Sequence, residues 1–216
     1  MSYQVQIWQQ TLDLTTDPQL FSPRQPDAGT LAMVAKVELR PDDRVLDLGC
    51  GCGLVGLAAA KALRPEQVVL VDIDPLAVRI ARLNAERNGC PGVRIVAGDG
   101  PAAVTPEKFT LILCNPPYHT DFSVARRLIE QSWRQLEEGG RLYLVVKRLP
   151  WYQNKMNSVF GGVRVWPDQG YFILMSERRP AIDRLPGPSG QPDRTTRKHR
   201  KRMQESADRR RPGNQR

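Results

Sequence analysis

The sequence predicts an α/β fold, a doubly wound and mostly parallel sheet flanked by helices and closed by an antiparallel hairpin. Three observations carry this. Short β-branched and leucine runs alternate with longer helical stretches, the pattern of βαβ units. A glycine-rich turn, Gly49-Cys50-Gly51-Cys52-Gly53, joins one such run to an alanine-rich helix. The polar residues with chemistry to offer fall at the carboxyl ends of the runs, where open α/β sheets bind ligands.

Taken in order, residues 3–22 alternate weakly through Val5, Ile7, Leu12 and Leu14 and read as a hairpin or cover segment. Thr30 to Leu39 reads as a helix. Strands follow at about 44–48, 67–72, 93–97, 109–114 and 141–147, with helices at 54–63, 75–88 and 123–138 between them. Gly139-Gly140 reads as the C-cap of the last helix. Gly162–Trp166 and Gly170–Met175 read as two strands around a turn at Pro167-Asp168-Gln169. The expected domain is 1–180, followed by a basic, disordered tail at 181–216.

The most informative segment is Asn115-Pro116-Pro117-Tyr118, directly after the apolar run Phe109–Cys114. Two prolines cannot donate to a strand ladder and have a fixed φ, so the chain leaves the sheet in a stiff turn. The Asn115 side-chain oxygen and the Pro116 carbonyl are acceptors suited to a planar –NH2 group, and Tyr118 adds an aromatic face for a base. His119 reads as a hydrogen-bonding structural residue of the same turn, with assistance to a departing proton as the alternative.

Gly51-Cys52-Gly53-Leu54-Val55-Gly56 also fits the dinucleotide fingerprint G-x-G-x-x-G. Asp47 argues against that ligand. A carboxylate two residues before Gly49 repels a pyrophosphate but can reach the amino group of a methionine moiety, which favours S-adenosylmethionine over NAD. The next run ends in Asp72, about twenty residues past the loop, where this kind of fold places a carboxylate on the ribose hydroxyls. Asp74 reads as the N-cap of the helix that begins near Pro75. Asp99, in Gly98-Asp99-Gly100, reads either as an acceptor for the adenine amine or as part of a generic turn.

These motifs, in this order and spacing, resemble the class I (Rossmann-like) S-adenosylmethionine-dependent methyltransferases. Within them the likeness is to the methyltransferase small domain group around 16S ribosomal RNA guanine-N2 methyltransferase C. The segment Phe21-Ser22-Pro23-Arg24-Gln25-Pro26-Asp27-Ala28-Gly29-Thr30 resembles that group's Phe-Ser…Asp-x-Gly stretch, and Asn115 to His119 resembles its Asn-Pro-Pro-Phe-His. The likeness covers about residues 4 to 178. Tyr118 stands where phenylalanine is commoner, and the duplicated N-terminal domain of some relatives has no counterpart. The resemblance implies catalysis at Asn115, Pro116, Pro117 and Tyr118, and cofactor binding at Asp47, Gly49, Gly51, Gly53, Asp72 and Asp99. It also implies transfer of a methyl group to the exocyclic amine of an RNA base, guanine-N2 of ribosomal RNA first. Protein glutamine-N5 and RNA adenine-N6 methylation share that chemistry, and an RNA-binding ribosome-assembly factor is the non-enzymatic alternative.

Composition agrees with one cytoplasmic catalytic domain. The 216 residues are 40% hydrophobic, enough to bury a core, and include no apolar run long enough for a membrane helix. Nor does Met1–Gln6 read as a signal region. The cysteines Cys50, Cys52, Cys90 and Cys114 lack zinc spacing and read as reduced structural thiols, so no metal is expected. Nearly all of the formal net charge of +9 lies after residue 183, in a stretch without aromatics that includes Arg197, Lys198, Arg200, Lys201 and Arg202. Such a segment cannot bury enough to fold alone and attracts polyanions, which makes RNA the expected partner.

Overall fold

The computed structural model describes residues 1–116 and 122–180. Pro117, Tyr118, His119 and the basic tail lie outside the described residues. The chain begins with β1 (Ser2–Ile7) and β2 (Gln10–Thr15), an antiparallel hairpin in register from Ser2↔Thr15 to Ile7↔Gln10. It forms a two-stranded sheet of its own. Then come α1 (Ala28–Val34), β3 (Val45–Leu48), α2 (Leu54–Ala62), β4 (Val68–Asp72), α3 (Pro75–Arg87), β5 (Arg94–Ala97) and β6 (Phe109–Cys114). The described chain closes with α4 (Phe122–Gln135), β7 (Leu136–Val146), α5 (Leu149–Phe160), β8 (Arg164–Asp168) and β9 (Tyr171–Glu177).

Seven strands make the main sheet in the order β5-β4-β3-β6-β7-β9-β8. The five from β5 to β7 are parallel, while β9 runs antiparallel to both β7 and β8. The winding reverses between β3 and β6, which pair Leu48 with Cys114. A crevice opens at such a switch point, because the connections from the two strands leave in opposite directions. The sheet separates two apolar layers. One face packs with the hairpin, α1, α2 and α3 around Leu57, Leu70, Ala81 and Leu111; the other packs with α4 and α5 around Leu46, Ile112, Ile129 and Met156.

The N-terminal hairpin is fastened by side chains and not by a ladder. Asn84 of α3 and Asn88, the C-cap one turn later, act as a surrogate strand for β2. Thr15 N donates to Asn84 Oδ1 at 2.8 Å, and Asp13 N donates to Asn88 Oδ1 at 2.9 Å. The Asn84 amide in turn donates to Thr15 O and Cys52 O, so the hairpin, α3 and the glycine loop share one buried group.

Three expectations need correcting. The first helix spans Ala28–Val34 and not Thr30 to Leu39, because Asp27 caps it by accepting from Thr30 N. Gly139-Gly140 does not end α4. That helix stops at Gln135, and the glycines lie in a bulge of β7 between the pairs Phe109↔Leu136 and Leu111↔Arg141. Gly139, at a φ of 78°, donates to Arg178 O, and Arg178 N donates back to Gly140 O, so the bulge is held by chain beyond β9. The closing turn lies at Gln169-Gly170, both in the left-handed region, with Pro167 and Asp168 still in β8. α5 has no counterpart among the helices expected from the sequence, although Tyr152, Met156 and Phe160 form a buried stripe at helical spacing, with Pro150 at its start and Gly161 at its end.

Candidate active site

The switch-point crevice is a cleft of about 540 Å³. Its floor is the loop from β3 to α2. Gly49 and Gly51 adopt φ of 70° and 55°, and a Cβ added to either would point into open space, so the missing side chains leave room in the cleft itself. Gly53 was expected to join them and does not line the cleft. Its φ of 90° makes the turn into α2, and it packs against Leu57 and Ala81. Gly56 allows close approach of helix to sheet, since a Cβ there would stand 2.5 Å from the Leu70 side chain.

Five amides of the loop and of the first turn of α2 are already engaged. Gly56 N donates to Asp47 Oδ2 at 2.8 Å, and Gly51 N donates to Asp72 Oδ2 at 2.8 Å. Gly49 N and Cys50 N both donate to Val71 O, and Gly53 N to Cys50 O. A phosphate-binding loop needs such N–H groups free and without a facing carboxylate. Asp47 and Asp72, both facing the loop, thus argue against the pyrophosphate of a dinucleotide.

Asp47 is 4% exposed. Burial pushes its carboxyl up to about 7, against the stabilising Gly56 amide and with the added repulsion of Asp72. Asp72 closes β4 at the cleft wall and spends one oxygen on Gly51 N and the other on Asp74 N. Asp74 caps α3 through Leu76 N, as the sequence predicts. Asp99 also lines the cleft, and its half-exposed carboxylate pairs with Arg127 at 2.6 Å. Cys50, Cys52, Cys90 and Cys114 are buried free thiols. Desolvation holds each of them above the ordinary thiol range, which makes them poor nucleophiles.

Asn115 and Pro116 stand at the end of β6, beside the glycine loop and on the same cleft. The Asn115 amide nitrogen donates to Asp27 Oδ2 at 3.0 Å and to Thr30 Oγ1 at 2.8 Å. Its oxygen is buried and has no partner among the described residues. An unpaired buried acceptor is rare and destabilising, and here it belongs to a residue that lines a cleft. Sequence reasoning missed several other lining groups: Tyr3 from the N-terminal hairpin, Phe21, Ile73 and Gln131. Ile73, directly after Asp72, is 68% exposed, a signal visible only once the strand end is placed.

The methyltransferase small domain family model matches residues 11–176. The chain belongs to that family. Two similar curated proteins are named "Ribosomal RNA small subunit methyltransferase C". The one from Pseudomonas entomophila is 33% identical over 172 residues, 77% of this chain and 51% of the relative. The one from Pseudomonas syringae pv. syringae is 29% identical over 182 residues, 82% and 54% of the two chains. The chain thus spans about half the length of the curated relatives it matches. Among solved structures, the T. thermophilus 16S rRNA N2 methyltransferase RsmC, in complex with AdoMet and guanosine, superposes with a TM-score of 0.74. That match has 23% identity and covers 83% of this chain and 50% of the other. As a methyltransferase small domain, the chain carries the class I methyltransferase fold with its antiparallel closing hairpin.

Proposed function

We propose that this protein transfers a methyl group from S-adenosylmethionine to the exocyclic amine of an RNA base, guanine-N2 of ribosomal RNA. The observation that carries the reading is Asn115, a cleft-lining residue whose amide nitrogen is fully engaged and whose buried oxygen has no partner among the described residues. The names of the similar proteins support ribosomal RNA as the acceptor molecule. The net positive segment after residue 183 supplies phosphate contacts without reading sequence.

The residues present fit the cofactor. The engaged loop amides suit a ligand without phosphate, and the side-chain-free floor at Gly49 and Gly51 leaves room for it. Asp47 would hold the methionine ammonium, Asp72 the ribose hydroxyls and Asp99 the adenine amine. Bound there, the sulfonium supplies an already activated methyl group. The protein's own task is then to align a poor nucleophile and exclude water.

An exocyclic amine is poor because its lone pair is delocalised into the ring. Hydrogen bonds from the amine to Asn115 Oδ1 and to the Pro116 carbonyl favour the tetrahedral geometry in which that pair is localised. The stabilisation grows toward the transition state, so it accelerates the reaction and does not merely tighten binding. Asn115 is an orienter and not a base: the amine's lone pair takes the methyl as the carbon–sulfur bond breaks, and the proton that the methylated nitrogen sheds passes to solvent. Tyr118, outside the described residues, is assigned the stacking role.

Labelled S-adenosylmethionine and unmodified small-subunit ribosomal RNA should yield N2-methylguanosine on nucleoside mass analysis, and RNA from a strain lacking the gene should lack one such residue. Label in N6-methyladenosine or in a protein glutamine would move the reaction to that acceptor. RNA binding without any label transfer would refute catalysis.

A further inference from the structure

We infer that Asp27 is a positioning residue for methyl transfer: it locks the Asn115 side chain so that the oxygen, and not the nitrogen, faces the acceptor amine. The inference rests on the amine-accepting role proposed for Asn115. A terminal amide is nearly symmetric in shape, so nothing in its own bulk decides which end faces the cleft. The decision is made by partners. Asp27 Oδ2 and Thr30 Oγ1 can both accept, and they take the two Nδ2 protons at 3.0 and 2.8 Å. With both protons committed on one side, Oδ1 is left on the other, buried and without a described partner.

Asp27 is itself held by two further donors. As the N-cap of α1 it accepts from Thr30 N at 2.9 Å, and its other oxygen accepts from the Tyr171 hydroxyl at 3.2 Å. Tyr171 begins β9, so the closing hairpin reaches across to the segment before α1. Its ring passes over Gly29, where a Cβ would stand 2.5 Å from it. The spacing Asp27-Ala28-Gly29-Thr30 therefore has one physical reading: carboxylate, clearance for the ring, then the second acceptor. Three distant parts of the chain converge on the orientation of one amide.

The test exploits two residues that cap helices about equally well. Asp27→Asn keeps the cap, and its amide oxygen can still accept from Asn115 while its nitrogen donates to the Tyr171 hydroxyl. Asp27→Ser keeps the cap but is too short to reach Asn115. With unmodified small-subunit ribosomal RNA and labelled S-adenosylmethionine, Asp27→Ser should lower kcat on the order of ten- to a hundred-fold, as the loss of partners that orient metal ligands does. KM for RNA and cofactor affinity should stay within about twofold. Asp27→Asn should retain most of the activity. In the ligand-free protein, nuclear magnetic resonance should show the Asn115 side-chain protons exchanging slowly in the native and Asp27→Asn proteins and quickly in Asp27→Ser, a readout independent of turnover. Equal losses in the two variants, or equally protected Asn115 protons, would mean that Asp27 only caps α1 or serves by its charge. Asn115→Ala separates the two claims. If it is inactive while Asp27→Ser is not, only the positioning role falls; if it keeps its kcat, the role proposed for Asn115 falls with it.

Discussion

Asp47 illustrates how much one buried carboxyl does at the scale of a residue. It stands beneath the glycine loop, takes the third amide of α2 in place of a side-chain cap, and is pushed up from 3.8 to about 7 by burial. Between those values the folded protein holds a proton there that the unfolded chain has released. The stability this proton confers is fully present below pH 3.8 and is lost as pH rises through about 7. The melting temperature of the ligand-free protein should therefore fall across that window relative to Asp47→Asn, whose amide oxygen still accepts from Gly56 N and which has no proton to lose. Parallel melting curves against pH for the two proteins would remove Asp47 from this account. The residue was legible in the sequence from its place two positions before a glycine turn. Its partnership with Gly56 was not, because nothing local says that the helix will lean back onto the strand.

Among the elements, β7 is held at its start by the Gly139-Gly140 bulge and by a buried ion pair. Arg141 donates to both oxygens of Asp43, at 2.8 and 3.0 Å, and to Glu38 O, so the strand is tied to the segment that leads into β3. The two side chains are 6% and 1% exposed. Asp43→Ala would leave the guanidinium buried without its counter-ion, and urea unfolding should show a loss of about 3–5 kcal/mol. Asp99→Ala breaks a pair of similar length whose side chains are 50% and 54% exposed, and should be destabilising by less than about 1 kcal/mol. Comparable losses in the two variants would show that burial does not set the strength of these pairs. The Gly-Gly dipeptide misled the sequence reading because a C-cap and a bulge demand the same left-handed backbone. Only the partners, here Arg178 on the far side of β9, tell them apart.

Across the whole molecule, the proposed division of labour is a cleft that chooses the atom and a basic segment that supplies affinity. Removing residues 184–216 should raise the apparent KM for RNA and flatten its salt dependence, with a log–log slope smaller by about 0.7 for each single-strand phosphate no longer neutralised. The modified nucleotide should not change. An unaltered salt slope would make the segment inert, and methylation of a different nucleotide would make it a specificity element. The sequence by itself determined the alternation of strands and helices, the glycine turn, and Asp47, Asp72 and Asn115 at three strand ends. Each of these is written in residues a few positions apart, where periodicity, proline and glycine act directly on the backbone. Tertiary structure decided what those residues face. Asp27 and Asn115 are 88 positions apart and Asp27 and Tyr171 are 144 apart, and Tyr3 lines the cleft from a hairpin fastened by Asn84 of α3 and its C-cap Asn88. Such meetings leave no period in the sequence, because they depend on how the sheet winds and on which helix ends reach its carboxyl edge.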